Sequence, residues 1–355
     1  MPFASIRTIG FRNLQDGEIR TDAPEIFLVG ENGQGKTNFL EAVYFCSFAS
    51  SFRGVRDAEL IRTGQVSCSA TASLTGSSCE RIHIEIQDGK KSVSLDGKRI
   101  LDRSDLLDIV PSVVFCHEDM EFVAGPPERR RWFFDQSLSL YDPLYLEDLQ
   151  KYRKILKTRN ALLKARDLSM MDVIDPQIAT YGIEVMKKRA EAAVTFSEAF
   201  GPLYQAVSEI ADVSVRYVPS WKGDTVDAVV EALAERRESD VSFGTSLSGP
   251  HRDRYSFVRR GEEFARRAST GQRRLLALLL RAAQAQRYSA ASGRRPVLLL
   301  DDVLLELDPE KRRRFLEVLP AYDQAFFTFL PGEPYDRYEK AGTSVYHVDG
   351  GRVQP

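Results

Sequence analysis

The octapeptide at residues 30–37, Gly-Glu-Asn-Gly-Gln-Gly-Lys-Thr, constrains this chain most, because it matches the pattern G-x-x-x-x-G-K-[ST]. It follows an apolar run at residues 26–29, which predicts a buried strand, and precedes residues 38–48, which predict a helix. Such a strand–loop–helix unit turns backbone N–H groups and the positive end of the helix dipole towards phosphate groups. In this role Lys36 reaches the β- and γ-phosphates, and the Thr37 hydroxyl is offered to Mg²⁺. The sequence therefore predicts an α/β domain that binds a nucleotide. The predicted nucleotide-binding residues are Gly30, Glu31, Asn32, Gly33, Gln34, Gly35, Lys36 and Thr37.

A second motif, at residues 297–302, supplies the carboxylates that such a site needs. Its first residues, Val-Leu-Leu-Leu, predict a strand, and Asp301 and Asp302 follow directly. Mg²⁺ keeps several of its waters, so Asp301 is predicted to complete its shell mostly through water. Asp302 is placed to orient or deprotonate the attacking water, which makes it, with Lys36, a candidate catalytic residue. Because aspartate is shorter than glutamate, we expect a loose contact with that water and slow hydrolysis.

A tetrapeptide, Ser269-Thr270-Gly271-Gln272, opens a strongly helical stretch at residues 272–287. A small hydroxyl and a glycine at a helix N-terminus form an anion site. Because the phosphate loop already holds one face of the triphosphate, this second site would serve a nucleotide presented by another subunit. The same residues also suit an ordinary helix cap at Ser269 or Thr270.

The hydrophobic period changes twice along the chain. Up to about residue 90 the pattern is that of strands, with Asp88-Gly89 and then Asp96-Gly97 as hairpin signals. From about residue 128 to 237 apolar residues recur at helical spacing, and mixed patterns return after residue 244, with alternation at residues 344–348. We therefore predict one α/β domain built from both chain ends, residues 1–128 and 240–355, with a mainly helical lobe inserted at residues 129–239.

The net charge of -2 is the sum of two basic segments and an acidic remainder. Residues 151–166 hold seven basic side chains and no acid, and residues 251–274 hold eight arginines and three acids. In the first segment the apolar residues share one helical face, which leaves most of the charge on the other and suits contact with DNA phosphates. A solvated helix face is the alternative explanation. The pattern contains no motif that would recognise bases in a groove. We therefore expect contacts to the DNA backbone and an affinity that depends strongly on salt. The candidate DNA-binding residues are Lys151, Arg153, Lys154, Lys157 and Arg159.

Simple counts exclude several other classes of protein. The longest apolar run, at residues 275–280, is far shorter than the ~18 residues that a membrane-spanning helix needs. Arg7 and Arg12 stand where a secretory signal would need apolar residues. The four cysteines show no CxxC pair and no histidine at metal spacing. We expect a soluble, cytosolic protein whose cysteines are reduced.

Taken in order, these motifs resemble the ATPase heads of the ABC and SMC superfamily, whose signature loop closes over the ATP of a partner head. Residues 305–308 look like that superfamily's D-loop, and residues 324–328 fall where its switch strand would lie. Within the superfamily the chain is most similar to the RecF family of bacterial recombinational repair proteins. The resembling pieces are Phe11-Arg12-Asn13, Ser51-Phe52-Arg53, Gly125-Pro126-Pro127, Arg129-Arg130-Arg131, Phe134-Asp135, Lys157-Thr158-Arg159-Asn160 and Gly249-Pro250-His251-Arg252.

The resemblance implies an ATP-dependent homodimer that binds DNA, prefers gapped or junction substrates, hydrolyses ATP slowly and works with the mediator proteins RecO and RecR to load a recombinase. It assigns ATP and Mg²⁺ to Asn32, Gly33, Gly35, Lys36, Thr37 and Asp301, hydrolysis to Asp302, and the γ-phosphate of the partner's ATP to Ser269, Gly271 and Gln272. Arg12 is a further candidate for nucleotide contact, with a surface charge as the alternative. Departures from the family pattern, which bear on the dimer interface, occur at His117, Arg254, Thr270 and Leu305.

Two other functions share this head chemistry. The first is the nucleotide-binding subunit of a membrane transporter. The 233 residues from Lys36 to Ser269, which include the basic helical lobe, argue against it because transporter heads are more compact between those motifs. The second is a nucleotide-gated interaction module, in which ATP binding drives dimerisation and hydrolysis only resets it. Weak turnover would favour this second alternative.

Overall fold

A computed structural model describes residues 3–101, 104–107 and 109–355. The chain forms two compact units, the first made of Met1–Asp119 with Tyr288–Pro355 and the second of Met120–Arg287. The strands, in chain order, are β1 Phe3–Ile9, β2 Gly17–Arg20, β3 Glu25–Val29, β4 Ser67–Leu74, β5 Arg81–Gln87, β6 Lys90–Leu95, β7 Lys98–Ile100, β8 Ser112–Phe115, β9 Val213–Val218, β10 Arg254–Arg259, β11 Glu262–Glu263, β12 Val297–Leu300, β13 Gln324–Phe329, β14 Thr343–Asp349 and β15 Arg352–Gln354. The helices are α1 Lys36–Phe48, α2 Ser104–Leu107, α3 Pro127–Ser139, α4 Pro143–Ala165, α5 Met171–Ser208, α6 Val226–Glu235, α7 Arg237–Phe243, α8 Phe264–Arg267, α9 Thr270–Ser292 and α10 Pro309–Val318.

A mostly parallel sheet with the order β15-β14-β3-β13-β12-β8 organises the first unit. β14, β3, β13, β12 and β8 run parallel, and β15 is the antiparallel edge strand. β3 and β13 are buried along their whole length, as expected of parallel strands that are covered on both faces. Because parallel strands end at one edge, the loop after β3 and the carboxylates after β12 meet beside the end of β13.

An antiparallel sheet with the order β2-β1-β4-β5-β6-β7 completes the first unit. Its last two hairpins turn at the predicted dipeptides, Asp88-Gly89 and Asp96-Gly97, where all four residues have positive φ angles of 48–80°. Such turns suit the right-handed twist of the paired strands. Helix α1 contacts strands of both sheets, and its apolar residues share one buried core with them. The predicted strands at residues 26–29, 297–300 and 344–348 and the predicted helices at 38–48 and 272–287 are confirmed.

The second unit is mainly helical, and the long helices α4 and α5 pack against each other in it. It also contains a three-stranded sheet, β11-β10-β9, in which Tyr255 of β10 faces Tyr217 of β9. The helical prediction for residues 129–239 did not anticipate β9, because a short strand inside a helical stretch gains its stability from the distant strand that pairs with it. Residues 120–128 and 240–287, which were predicted to lie in the first domain, belong to this unit. In the described part of the chain, no helix has the length and hydrophobicity that crossing a membrane requires.

Candidate functional site

The loop between β3 and α1 holds the Lys36 side chain inside it. The Lys36 amine donates hydrogen bonds to the carbonyl oxygens of Gly30, at 2.6 Å, and Glu31, at 3.3 Å, and the residue is 3% exposed. Gly35 has a φ of 119°, which residues with a side chain rarely adopt. The loop therefore curls around a buried cation and presents the N-terminus of α1, which is the arrangement that binds phosphate.

Two segments distant in sequence hold this loop in place. Asn13 donates to the carbonyl oxygen of Gly33 at 3.2 Å, and the turn between β14 and β15 reaches Gln34 through the backbone N–H of Gly351 at 2.8 Å. Gly30 lies so close to β14 that a Cβ atom there would come within 2.3 Å of the Val348 carbonyl oxygen. No local pattern in the sequence predicts these supports, because the contacts join distant parts of the chain.

The two acids after β12 meet the loop through hydroxyl groups. Thr37 donates from Oγ1 to Oδ1 of Asp301 at 2.9 Å. Thr328, on the intervening strand β13, donates to Oδ1 of Asp302 at 2.8 Å and accepts from the Asp302 backbone N–H at 2.7 Å. Lys36, Thr37, Asp301 and Asp302 are thus brought to one edge of the parallel sheet, with Thr328 as a positioning residue.

Burial, and then the nearby Asp302, raise the pKa of Asp301 to about 7. A buried carboxylate next to another carboxylate favours a cation beside it. The oxygen ligands present, the Thr37 hydroxyl and the Asp301 carboxylate, are of the kind that Mg²⁺ prefers. Among the described residues there is no group of three or more His, Cys, Asp and Glu that could hold a metal. The residues fit a Mg²⁺ ion that completes its shell with water and phosphate oxygens.

Two arginines near the loop have different roles. Arg12, the further candidate for nucleotide contact, forms a two-point ion pair with the fully buried Glu41, at 2.8 and 3.1 Å. Arg53 donates to Asn38 Oδ1 at 3.1 Å and lines a cavity of about 120 Å³ with the loop and Asp302. The sequence identifies Arg53 only as part of a family motif, because the approach of its side chain to the loop depends on the fold.

The tetrapeptide at residues 269–272 forms a helix cap in the second unit. The Ser269 hydroxyl accepts from the Gln272 backbone N–H at 3.2 Å, and Gln272 Oε1 accepts from the Ser269 backbone N–H at 2.8 Å. This reciprocal pair is a capping box at the start of α9, as the alternative explanation predicted. Ser269, Thr270 and Gly271 are exposed, so the residues predicted to meet a partner's nucleotide lie on the surface.

Most of the candidate DNA-binding residues lie on the exposed side of α4. Lys151 pairs with Glu147 at 3.3 Å, and Arg153 pairs with Asp135 at 3.0 Å. Lys154 and Lys157 are exposed and form no ion pair with any residue that the structure describes. These two lysines keep their full charge available for a phosphate backbone.

Arg159 corrects the predicted set, because it is wholly buried and cannot reach DNA. Its guanidinium donates to Asp175 at 2.8 Å and to Asp240 at 2.7 Å. Tyr152, Arg159 and Leu163 share the packed face of α4, to which the helical spacing brings them. The count of basic residues did not separate this face from the exposed one.

A second buried arginine joins several of the family motifs. Arg189 on α5 pairs with Asp135 and with Asp253, each at 2.8 Å, and donates to the Pro250 carbonyl oxygen at 2.6 Å. Arg131 donates to the Asp253 carbonyl oxygen at 2.8 Å. The motif residues around 131–135 and 249–253 therefore hold α3, α5 and the start of β10 together.

Comparison with known proteins agrees with this architecture. A family model described as the RecF/RecN/SMC N terminal domain matches residues 3–341. The protein called DNA replication and repair protein RecF in Treponema pallidum (strain Nichols) is 45% identical over 345 residues, which are 97% of this chain and 98% of that protein. The protein of the same name in Synechococcus sp. (strain JA-3-3Ab) is 34% identical over 362 residues, with 97% of this chain and 95% of that protein covered.

Solved structures give the same result at the level of the fold. The structure described as the recombination mediator protein RecF with ATP, in the RecFOR pathway, has a TM-score of 0.88 at 25% identity and covers 99% of this chain and 97% of that one. An Smc head domain from Pyrococcus furiosus, bound to the C-terminal domain of ScpA, has a TM-score of 0.57 at 17% identity, with 100% and 96% covered. The Smc likeness shows a shared fold.

Proposed function

Because the chain belongs to the RecF family within the RecF/RecN/SMC proteins, we propose that it is an ATP-dependent DNA-binding protein that dimerises on DNA and releases it by slow hydrolysis. Membership makes it a recombination-mediator ATPase of DNA repair. The observation that carries the ATPase part is the 2.9 Å hydrogen bond between Thr37 and Asp301, which joins the phosphate loop to the carboxylates.

ATP would bind with its β- and γ-phosphates on the loop N–H groups and on Lys36. The carbonyl oxygens that now hold the Lys36 amine are weaker partners than phosphate oxygens, so the amine is ready to move to them. When bound, Mg²⁺ neutralises charge that develops on the phosphates. Asp302, held by Thr328, would orient the attacking water, and its short side chain makes the expected turnover slow.

Dimerisation would complete the ATP site with the exposed Ser269 and Gly271 and the half-buried Gln272 of a second copy. The capping box presents the N-terminus of α9, whose free N–H groups and dipole suit a γ-phosphate. Mg²⁺-dependent hydrolysis would then separate the two copies. DNA-stimulated ATPase activity is part of the same proposal.

DNA would bind through the exposed lysines of α4, with gapped or junction DNA as the proposed substrate. The matching RecF structure with ATP is described as part of the RecFOR pathway, from which we propose RecO and RecR as partners that help to load a recombinase. The protein would act in the cytoplasm, where these partners and the DNA are. The two relatives described above are DNA replication and repair proteins, which argues against the transporter alternative.

The central test compares Lys36→Met with wild type and with Lys98→Met, an exposed lysine of β7 in the same unit. We expect Lys36→Met to lose ATP-dependent dimerisation and tight DNA binding, because the phosphates lose their cation. DNA affinity is measured with and without ATP on duplex, single-stranded and gapped DNA at two salt concentrations, together with ATP hydrolysis. If wild type binds DNA equally well with and without ATP, the proposed mechanism is wrong.

A further inference from the structure

The second unit contains a pocket of about 410 Å³ that the ATP chemistry does not use. Its volume lies in the range of about 300–1,000 Å³ that is usual for ligand sites. Helix α3 contributes Arg129, Arg131 and Trp132, and helix α4 contributes Leu149, Tyr152 and Arg153. The pocket therefore combines an aromatic and apolar wall with arginines and two carboxylates, Glu128 and Asp135, of which Glu128 is paired with Arg131 at 3.1 Å.

The deeper charged groups of this pocket are already paired with one another. Asp135 accepts from Arg189 and Arg153, and Arg189 also pairs with Asp253. His251 is held between the Tyr152 hydroxyl at 2.7 Å and the Ser246 carbonyl oxygen at 2.9 Å. Burial lowers the pKa of His251 to about 4, so its imidazole is neutral at pH 7. The floor of the pocket is thus polar and fixed.

Donors remain at the outer wall. The Arg129 side chain is half-exposed, and its ion pair with Glu121 is long, with 3.8 Å between Arg129 Nε and Glu121 Oε2. One amino group of Arg153 donates to Asp135, while more than half of the Arg153 side chain is exposed. A guanidinium carries five N–H donors in a planar fork that matches phosphate oxygens. Both arginines can therefore donate hydrogen bonds to an anion without losing a buried contact.

Trp132 supplies a flat surface beside these arginines. The indole ring stacks on Phe122 with ring centres 5.7 Å apart and an interplanar angle of 26°, yet the residue is 39% exposed. An indole that is packed on one side and open on the other is a rigid platform for a planar group. A base that carries a phosphate has both chemistries that this wall offers.

We propose that the pocket binds one unpaired nucleotide of a DNA strand, with the base against Trp132 and an adjacent phosphate on Arg129 and Arg153. The inference rests on the proposed DNA-binding function and assigns a second contact to it. Bases in a duplex are stacked and paired, so only an unpaired nucleotide can enter a pocket. Base stacking on an aromatic side chain is tolerant of sequence, which agrees with the expectation that the protein contacts the DNA backbone and not the base edges.

The basic face of α4 continues from this pocket. Arg153 lines the pocket, and Lys157 lies one helical turn further along the same side. A strand held at Trp132 would therefore have its neighbouring phosphates directed along the exposed lysines. One helix would serve both the unpaired nucleotide and the continuing backbone.

The tryptophan content of the chain provides a direct test. The chain has two tryptophans, of which Trp221 is 4% exposed and Trp132 is 39% exposed. We expect an oligothymidylate of about ten nucleotides to quench the Trp132 emission as it binds, because stacking brings a base onto the indole. Thymidine monophosphate is the second probe, and it should bind far more weakly, since it lacks the contacts along α4.

Variants assign the effect to the pocket. We expect Trp132→Ala to weaken oligothymidylate binding about tenfold, in line with ~1–3 kcal/mol per stacked base, and Trp132→Phe to retain most of it. Arg129→Gln should weaken it severalfold, while Arg236→Gln, an exposed arginine outside the pocket, should not. ATP-dependent duplex binding, measured on the same preparations, should stay within about twofold of wild type for every variant.

Several outcomes would overturn the assignment. These are wild-type binding of oligothymidylate without quenching, no such binding at all, or unchanged affinity in both Trp132→Ala and Arg129→Gln. Equal affinity for thymidine monophosphate and the oligomer would make the pocket a site for free nucleotides instead. Duplex binding that depends on ATP would persist in each of these cases if the proposed function is right, so the two proposals fail separately.

Discussion

Asp302 has a left-handed backbone conformation, and its side chain is held in one position. Its φ of 52° lies in the left-handed region, where Asn and Asp are among the few residues that are tolerated. Thr328 holds both its carboxylate and its backbone N–H. The side chain is therefore fixed beside the phosphate loop before any nucleotide arrives.

The Asp302→Asn variant should fold normally and trap an ATP-bound dimer. Asparagine tolerates the same φ and keeps an oxygen for the Thr328 hydroxyl, but it is a poor base for water. We expect hydrolysis to fall by about a hundredfold or more with ATP affinity retained. Analytical ultracentrifugation with ATP measures the dimer, and a variant that remains monomeric with ATP bound would contradict the role of Asp302 or the signature arrangement.

Arg159 is a basic residue whose burial gives it a structural role, because its charge is paired with buried acids. Arg159→Met would leave Asp175 and Asp240 as buried acids without their shared partner, and Arg237, at 3.1 Å from Asp175, would compensate only one of them. We expect a loss of about 3–5 kcal/mol in the free energy of unfolding. Denaturant unfolding measures it, with the exposed Lys157→Met as the control expected to change stability by less than about 0.5 kcal/mol. Equal stability of the two variants would mean that the buried cluster is not a stabilising element.

At the scale of elements, helix α4 has a buried face and an exposed face, and the two carry different residues. Its inner face packs on α5 and carries the buried Tyr152 and Arg159, while its outer face carries Lys154 and Lys157. The basic residues of segment 151–166 therefore fall into two groups: Arg159 is buried and stabilises the fold, whereas Lys154 and Lys157 are exposed. Only the outer lysines belong to the proposed DNA contact.

The double variant Lys154→Glu/Lys157→Glu should weaken DNA binding without changing ATP affinity. Loss of two phosphate contacts should lower the slope of log affinity against log salt by about 2. Lys222→Glu/Arg236→Glu, which changes the same net charge on exposed residues of the same unit, is the matched control. An equal loss of DNA affinity in both double variants would mean that the overall charge, and not these two lysines, determines DNA binding. A parallel loss of ATP affinity would indicate that the variant is misfolded.

Elements with a strong local pattern followed the sequence closely. β3, α1 and β12 lie where the apolar runs predicted them, and the Asp-Gly turns close their hairpins. β9 did not follow, because its pairing with β10 joins residues that are about 40 positions apart. Local propensity decides an element only when no distant partner overrides it.

At the scale of the whole molecule, the two halves of the proposed ATP site lie in different units of the chain. Lys36 belongs to the first unit and Ser269 to the second. Both basic segments found in the sequence, residues 151–166 and 251–274, also belong to the second unit. The charge segregation along the chain is thus also a division between units.

Mixing two inactive variants tests whether the ATP site is shared between copies. Lys36→Met and Ser269→Arg should each abolish hydrolysis, and a mixed dimer would keep one intact site made of Lys36 from one copy and Ser269 from the other. We expect an equal mixture to recover about a quarter of wild-type ATPase activity, since half of the dimers are mixed and each has one of two sites. No recovery, with mixed dimers present, would mean that a single chain supplies both residues.

The sequence alone determined the chemistry of the site. A phosphate loop, a strand with two acids and a hairpin turn each need particular residues at fixed local spacing, because backbone conformation and phosphate geometry allow few others. Residues 30–37 and Asp301 could therefore be identified without the fold. Tertiary structure decided which of the remaining charges are free: Arg159 meets Asp240 and Arg189 meets Asp253 only through packing. Such partners are 64 or more residues apart, and no local spacing records them, so the buried arginines, the support from Thr328 and the Trp132 pocket emerged from the folded chain.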